Sequence, residues 1–451
     1  MRYLNVSVRR VRAILTVLAM AALVFFLHPQ ASDDLALPVI AILIIFSLIL
    51  IAREVSGLED LRFLAGALAP IGALTLLALV TSILRIPSLS TLREVFLVFV
   101  VFILGFSVSR VGGQRLTLLG ILGGSVAVSA LGWFLRLDQA NLTTFAPFSE
   151  SSDFLGLSGN QGYEFFGALM GVVAGITLLG ARHWSRPLIA LGTGFSMLTL
   201  VWTGSIVGWI SVAALLVAVA VLLLARTKWA KWALRVSAGF VISAFVSIAT
   251  LVAFPAVAVA LADFVGKSTS LEARMVSWGF ALQNMDLTGW IFGYGLSFWK
   301  QDTVTRDGVT ALLAPYGYGP FSHSHSIYVD LIVSFGVVGV ALIGLLVWAM
   351  LRNSSVLAGA PGSWQGSAGP WLFLVGLAAS GLAESILVFR PSGWLLAGLL
   401  YGAFAAGNSI FGRGLESSWP DGGGDYVPVE SDSQGAHPPS DRRSQRARAQ
   451  K

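Results

Sequence analysis

The chain has 451 residues, of which 56% are hydrophobic and only 12% are charged, and its mean hydropathy is +0.79. Soluble globular proteins carry roughly 25% charged residues, so the composition excludes an ordinary cytosolic enzyme, a disordered regulator and a nucleic-acid-binding domain. The net charge of +6 comes from basic residues in short clusters beside apolar runs, a pattern typical of membrane topology. Cysteine is absent, which excludes a disulfide framework and a thiolate ligand or nucleophile.

Apolar runs dominate the sequence, and a helix needs about 20 such residues to cross the hydrocarbon core of a bilayer. The runs are continuous rather than alternating, which favours helices over barrel strands. They lie near residues 13–28, 35–52, 63–84, 94–109, 116–135, 164–181, 187–203, 206–225, 236–261, 326–351, 370–388 and 393–411. The sequence therefore predicts an all-α polytopic membrane protein with about 12 transmembrane helices and one large extracytoplasmic loop before helix 10.

The basic residues predict the orientation of the bundle. Four arginines stand within the first twelve residues, and placing this end in the cytoplasm puts most basic loop residues on the cytoplasmic side, as the positive-inside rule requires. Both termini are then cytoplasmic. No small-residue cleavage site closely follows the first run, which favours a retained helix over a signal peptide.

The composition divides the chain into two parts. Residues 1–411 form the predicted transmembrane domain, with the large extracytoplasmic loop at 262–325. Long loops are usually functional or disordered, and the many Trp, Phe and Tyr residues of this one favour a functional loop. Residues 412–451 are rich in Ser, Gly, Pro, Asp and Arg, which predicts a disordered cytoplasmic tail.

Two of the five histidines stand two residues apart where the long loop enters helix 10. His323 and His325 are followed by Tyr328 and Asp330. Histidine titrates near neutrality and acts as an acid, a base or a metal ligand. A zinc site would need more ligands than Asp330 supplies, so acid–base chemistry is favoured over a metal site. The alternative is a pair of interfacial histidines bonded to the loop backbone.

Further polar groups gather at the predicted outer face. Arg274 offers a planar fork of donors suited to phosphate or carboxylate, with a salt bridge to a neighbouring carboxylate as the alternative. Asn160 lies in a Gly-rich loop that opens helix 6, where backbone N–H groups could hold an anion or simply form a turn. Glu384 and Arg390 flank the outward end of helix 11 and either pair across the bundle or cap the membrane edge.

Two short patterns follow each other along the loop and helix 10. The first consists of Arg274, Trp278, Gly293 and Gly295. The second consists of His325, Tyr328, Asp330, Gly336 and Gly339. With the predicted spans and the single large outer loop, this order resembles the O-antigen ligase and polymerase superfamily. The usual signature of that family has Asn and Leu where this chain has Ser326 and Val329. Exopolysaccharide-type members of the family have residues similar to Asp330 and to the pair Glu384-Ser385. Asn160 falls where the family often has Asn.

The resemblance implies a glycan polymerase or ligase that works on the extracytoplasmic face of the bacterial cytoplasmic membrane. Its donor would be an undecaprenyl-diphosphate-linked glycan, and its acceptor a hydroxyl of another glycan or a lipid. The family is regarded as metal-independent and inverting, so no cofactor is implied. His325 would take the acceptor proton or orient the hydroxyl, and Arg274 would neutralise the leaving diphosphate. The implied substrate-binding residues are His323, Tyr328, Asp330, Asn160, Glu384 and Arg390.

Two alternatives belong to other classes of protein. A transporter or flippase for lipid-linked glycans would place ionisable residues at mid-membrane, where this chain has very few. A non-catalytic partner in envelope polysaccharide assembly gains support from family arginines that this chain lacks. Many members carry an Arg beside a Ser between helices 7 and 8, where this chain has Thr203-Gly204-Ser205. Other polysaccharide-assembly proteins are further expected partners, and nucleic acid is not.

Overall fold

The computed structural model describes residues 58–85, 89–135, 161–179, 186–203, 206–224, 268–296, 298–300, 311–312, 314–316, 324–352, 364–382 and 391–404, with a few isolated positions besides. Every regular element in these ranges is an α-helix or a short 3₁₀ turn. The predicted all-α class is therefore confirmed for the described part of the chain.

The helices follow one another in a simple order. They are α1 (Leu58–Arg85), α2 (Leu89–Leu135), α3 (Gln161–Leu179), α4 (Arg186–Trp202), α5 (Ile206–Leu224), α6 (Ser268–Gln283), α7 (Leu287–Phe292), α8 (Ile327–Arg352), α9 (Trp364–Ser380) and α10 (Pro391–Phe404). Two 3₁₀ turns, Phe298–Lys300 and Ala314–Tyr316, lie between α7 and α8.

Four stretches of the described helices are long and apolar enough to cross a membrane. They are Leu64–Arg85, Thr91–Arg110, Gly113–Phe134 and Ile327–Leu351. Shorter apolar helices accompany them, among them Arg186–Trp202 and Ala368–Ser380. The described chain is thus a multi-pass helical bundle, as its apolar runs predict.

The full count of twelve spans stays a prediction. The runs at 13–28, 35–52 and 236–261 lie outside the described residues apart from isolated positions, and so does the predicted tail at 412–451. The cytoplasmic position of both termini, the extent of the domain at 1–411 and the outer loop at 262–325 stay predictions for the same reason.

Helix α2 contains two spans joined at a sharp break. Gly113 has φ 75° and ψ 174°, a conformation outside the helical region that glycine adopts at little cost. Arg110 and Arg115 flank the break, as basic residues commonly flank membrane spans. The loop predicted between the spans at 94–109 and 116–135 is therefore reduced to this single break.

The core holds α2 and α10 in direct backbone contact. A Cβ atom at Gly105 would collide with the backbone of Leu395, and one at Gly398 would collide with the backbone of Phe102. Small residues at such contacts let membrane helices approach closely and gain dispersion energy. The Tyr401 hydroxyl donates to a backbone carbonyl of α1 at 2.8 Å, which attaches α10 to that helix as well.

Helix α8 is broken at Gly336, where φ is 62° and ψ is −171°. The break prevents the regular hydrogen bonds of the preceding turn, and loop N–H groups replace them. The N–H of Tyr294 donates to the Val333 carbonyl at 2.8 Å, and the N–H of Gly295 donates to the Ser334 carbonyl at 2.9 Å. Gly293 and Gly295 of the loop thus pack against the break at Gly336.

We predict that Gly336→Ala destabilises the protein. An alanine at this φ and ψ costs about 1–3 kcal/mol of strain, and its Cβ would collide with the backbone of Ile291. Thermal unfolding in detergent measures the loss. Gly344→Ala is the matched control, because it lies in the same helix with open space around its Cβ. Equal unfolding temperatures for the two variants would contradict the prediction.

Candidate functional site

The candidate site is centred on the turn Ser324-His325-Ser326, which opens α8. His325 has φ 58° and is the one non-glycine residue with positive φ in the described part of the chain. This conformation is uncommon, although histidine adopts it more readily than most residues. Its side chain is half-buried, whereas both flanking serines are fully buried. A residue held in a sparsely populated conformation by its surroundings is typical of a functional site.

The buried carboxylate of Asp330 holds this turn in place. It accepts hydrogen bonds from the backbone N–H of Ser324, at 3.1 and 3.2 Å, and from Nε1 of Trp299, at 2.8 Å. The Ser324 hydroxyl in turn donates to the Ser326 carbonyl at 3.0 Å and accepts from the Ser326 N–H at 3.1 Å. These contacts fix the backbone on both sides of His325.

Helix α6 brings the pattern that begins with Arg274 to the same turn. Nε1 of Trp278 donates to the Ser324 carbonyl at 2.7 Å, and both residues are buried. Arg274 lies four residues earlier, so it projects from the same face of α6 one turn away. Its side chain is half-buried. The structure therefore brings the Arg274 pattern against the turn that carries His325.

Tyr328 attaches the start of α8 to α9. Its hydroxyl donates to the Ala378 carbonyl at 2.8 Å, and the N–H of Ile327 donates to the Gly381 carbonyl at 2.8 Å. Like Asp330, Tyr328 thus makes a hydrogen bond that joins α8 to another segment of the protein. The substrate-binding role of both residues stays a prediction.

The remaining predicted substrate-binding residues lie outside the described part of the chain. They are His323, Asn160, Glu384 and Arg390, and their roles stay predictions. Within the described ranges, no three His, Cys, Asp or Glu side chains come together as a set of metal ligands.

A second polar cluster lies at the end of α1. Its residues belong to neither of the two sequence patterns. Nη2 of Arg85 donates to both carboxylate oxygens of Asp286, at 3.1 and 3.0 Å. Its guanidinium lies over the Tyr294 ring, with the central carbon 4.7 Å from the ring centre. Asp286 is also the N-cap of α7 and accepts from the Gly289 N–H at 2.6 Å. An Asp directly before a helix is a recognisable capping signal, but nothing in the sequence indicates Arg85 as its partner.

The charges of this cluster follow from its hydrogen bonds. The N–H of Gly289, and then Arg85, hold the pKa of Asp286 below its ordinary value of 3.8, so this carboxylate is ionised at neutral pH. Burial raises the pKa of the Tyr294 hydroxyl, which stays protonated and donates to Asp286 at 3.1 Å. The stabilisation from the ion pair is present at neutral pH and is lost as the pH falls through the lowered pKa of Asp286. Because both side chains are partly exposed, its contribution is small.

Part of the chain matches a known protein family. Residues 189–344 match the family model described as O-Antigen ligase. The matched segment runs from α4 into α8 and contains all nine residues of the two patterns, whereas Asn160, Glu384 and Arg390 fall outside it. Residues 189–344 are therefore similar to the O-antigen ligase domain family, which confirms the resemblance drawn from the sequence, and the described helices are those of a multi-pass membrane protein. No curated protein was found to match the chain.

We expect Asp330→Asn to weaken the turn around His325. The amide keeps the shape of the side chain but replaces one accepting oxygen with an NH₂ group, which leaves a buried donor opposite Ser324 or Trp299. The free energy of unfolding should fall by about 1–3 kcal/mol, as measured by denaturation in detergent. Asp286→Asn is the control, since asparagine also caps helices and the side chain is exposed. A loss as large in the control would argue against the special role of Asp330.

Proposed function

We propose that the chain is an integral membrane glycan polymerase or ligase. It transfers a lipid-diphosphate-linked oligosaccharide to an acceptor hydroxyl on the extracytoplasmic face of the bacterial cytoplasmic membrane. The product is an exopolysaccharide or another surface polysaccharide, and undecaprenyl diphosphate is the carrier. The family match over residues 189–344 supports the class of reaction, because O-antigen ligases act on lipid-linked glycans.

The observation that carries the proposal is the hydrogen bond from Trp278 to the Ser324 carbonyl. It joins α6, which bears Arg274, to the residue directly before His325. The segments that bear a strong cation and a group that can accept a proton are therefore in contact. Glycosyl transfer from a diphosphate needs both groups, since negative charge develops on the leaving group while the acceptor hydroxyl loses its proton.

In this proposal His325 acts on the acceptor. Its Nδ1 is buried, so the proposal assigns Nε2 as the ring atom that accepts the proton. The hydroxyl oxygen attacks the anomeric carbon of the donor sugar, and its proton passes to His325. The contacts of Asp330 and Ser324 fix the backbone that bears the imidazole, which matters because small displacements of a reacting group lower the rate strongly.

Arg274 acts on the donor. As the bond between the anomeric carbon and the diphosphate oxygen breaks, the leaving diphosphate takes the electron pair and gains charge. A guanidinium can contact two of its oxygens at once through parallel N–H groups. Arg274 is half-buried, and the reduced local dielectric strengthens its attraction for this charge.

We predict that His325→Ala and His325→Asn abolish transfer, with a rate loss of about 10²–10⁴-fold. Asparagine tolerates the left-handed backbone, so His325→Asn should stay inserted and abundant. The measurement is the size profile of envelope and secreted polysaccharide in a deletion strain that carries each variant. Loss of long chains with accumulation of single lipid-linked units identifies a polymerase, whereas full-length glycan held on its carrier identifies a ligase. An unchanged profile in the deletion strain would refute the proposal.

A second prediction concerns Arg274 in the purified protein with a lipid-linked donor. Arg274→Ala should lower the transfer rate by about 10²–10³-fold. Arg274→Lys should restore part of it, because lysine keeps the charge but cannot form the bidentate contact. Arg186→Ala changes an exposed arginine at the start of α4 and serves as the control. Full activity of Arg274→Ala would remove this residue from the mechanism.

A further inference from the structure

Helices α1 and α8, together with residues of α7, line an open apolar groove of about 610 Å³ that has Arg85 at one end. This volume lies within the range of roughly 300–1,000 Å³ that is usual for small-molecule sites. The wall from α1 includes Leu76, Val80 and Leu84, which follow one another at the spacing of one helix face. Val338 supplies part of the facing wall from α8. The groove therefore has an apolar body and a single charged end.

The dimensions of the groove suit a lipid chain. Its wall on α1 runs from Ala73 to Leu84, which is roughly 17 Å at the helical rise of 1.5 Å per residue. One leaflet of the hydrocarbon core is about 15 Å thick. The Thr81 hydroxyl donates back to the Leu77 carbonyl at 2.9 Å, so this threonine adds no unsatisfied polar group to the wall. Leu76 and Leu84 are 60% and 77% exposed, which leaves the groove open along its length.

The charged end of the groove suits a phosphate. Arg85 donates to Asp286 through Nη2, whereas a guanidinium carries five N–H donors. The Tyr294 ring and Asp286 hold the side chain at the mouth of the groove rather than letting it extend away. An anionic group entering with a hydrocarbon chain would meet this cation and compete with Asp286 for it.

We propose that this groove binds the hydrocarbon chain of the lipid-linked donor, with its phosphate held at Arg85 in an entry position that is separate from the transfer position at Arg274. The inference rests on the proposed function. The donor is preferred over bulk phospholipid because the groove is linked to the candidate site through α8. Gly293 lines the groove, and the next two residues are hydrogen-bonded to α8 at Val333 and Ser334. From there the unbroken first part of α8 leads back to the His325 turn over roughly 14 Å.

The first test fills the groove. Full-length protein is reconstituted in nanodiscs of phosphatidylethanolamine and phosphatidylglycerol with a long-chain polyprenyl phosphate, and native mass spectrometry measures the lipid retained after extraction. Val80→Trp and Val338→Trp should lower retention of the polyprenyl phosphate about tenfold, because the indole displaces a few methylene groups. The matched controls are Ile83→Trp and Val337→Trp. These positions are exposed on the same two helices but do not line the groove.

The second test separates phosphate binding from a purely structural role of the ion pair. Arg85→Gln should lower retention of polyprenyl phosphate about fivefold and leave uncharged polyprenol unchanged. Asp286→Asn should preserve or raise retention of polyprenyl phosphate, because it removes the competitor for Arg85 and keeps the cap of α7. If the pair only fastened α7 to α1, both substitutions would lower retention alike, and that result would overturn the assignment of Arg85.

The outcomes also separate this inference from the proposed function. His325→Ala should retain polyprenyl phosphate like the wild type while transfer is lost. If the wild type transfers glycan but Val80→Trp and Ile83→Trp retain lipid equally, the groove assignment fails and the function stands. If nothing is transferred but the groove variants still lose the lipid, the function fails and the groove assignment for polyprenyl phosphate stands. Retention of phosphatidylglycerol instead, or a lipid-free dimer, would overturn the groove assignment.

Discussion

The break in α8 is the constraint on which the rest of the described structure depends. A bilayer offers no water to a free carbonyl, so a membrane helix can be interrupted only where protein groups supply the missing hydrogen bonds. The N–H groups of Tyr294 and Gly295 supply them for Val333 and Ser334. The approach is so close that only glycine fits at Gly293 and Gly336. A loop segment is thereby fixed to the interior of a span.

Fixing that loop segment determines what can lie on either side of it. Toward the start of α8, Trp299 reaches the carboxylate of Asp330 and stiffens the turn that contains His325. Toward α1, the same segment presents Tyr294 to Arg85 and forms the end of the apolar groove. The polar turn and the apolar groove are therefore built on opposite ends of one short stretch of backbone. Under the proposed function, His325 and a lipid chain would be positioned together because neither would lie on an independent loop.

Much of the architecture could be predicted from the sequence, because membrane spans are defined by length and apolarity alone. The two motif patterns were also visible, and the structure places the Arg274 and His325 segments in contact. Contacts between distant segments were not visible. Asp330 looked like a ligand for substrate, and only the fold shows that its oxygens face Ser324 and Trp299.

Arg85 is a second residue whose contact could not be predicted from the sequence. In the sequence it is one more basic residue at the end of an apolar run, which ordinarily marks a membrane edge. Its pairing with Asp286 spans about 200 positions of the chain, and no local periodicity or spacing encodes it. Local rules thus recover elements and motifs, whereas the identity of a partner depends on how the elements pack.

The contact between α2 and α10 has a consequence for biogenesis. Gly105 and Gly398 touch the opposite helix through its backbone, yet they are separated by roughly 290 residues. At synthesis rates of about 5–20 residues per second, α2 waits roughly 15–60 s in the membrane before its partner emerges. During that time its small-residue face lies against lipid or against a provisional neighbour. Helix α10, the last described helix, therefore completes the bundle. The early spans reach their final packing only at the end of translation.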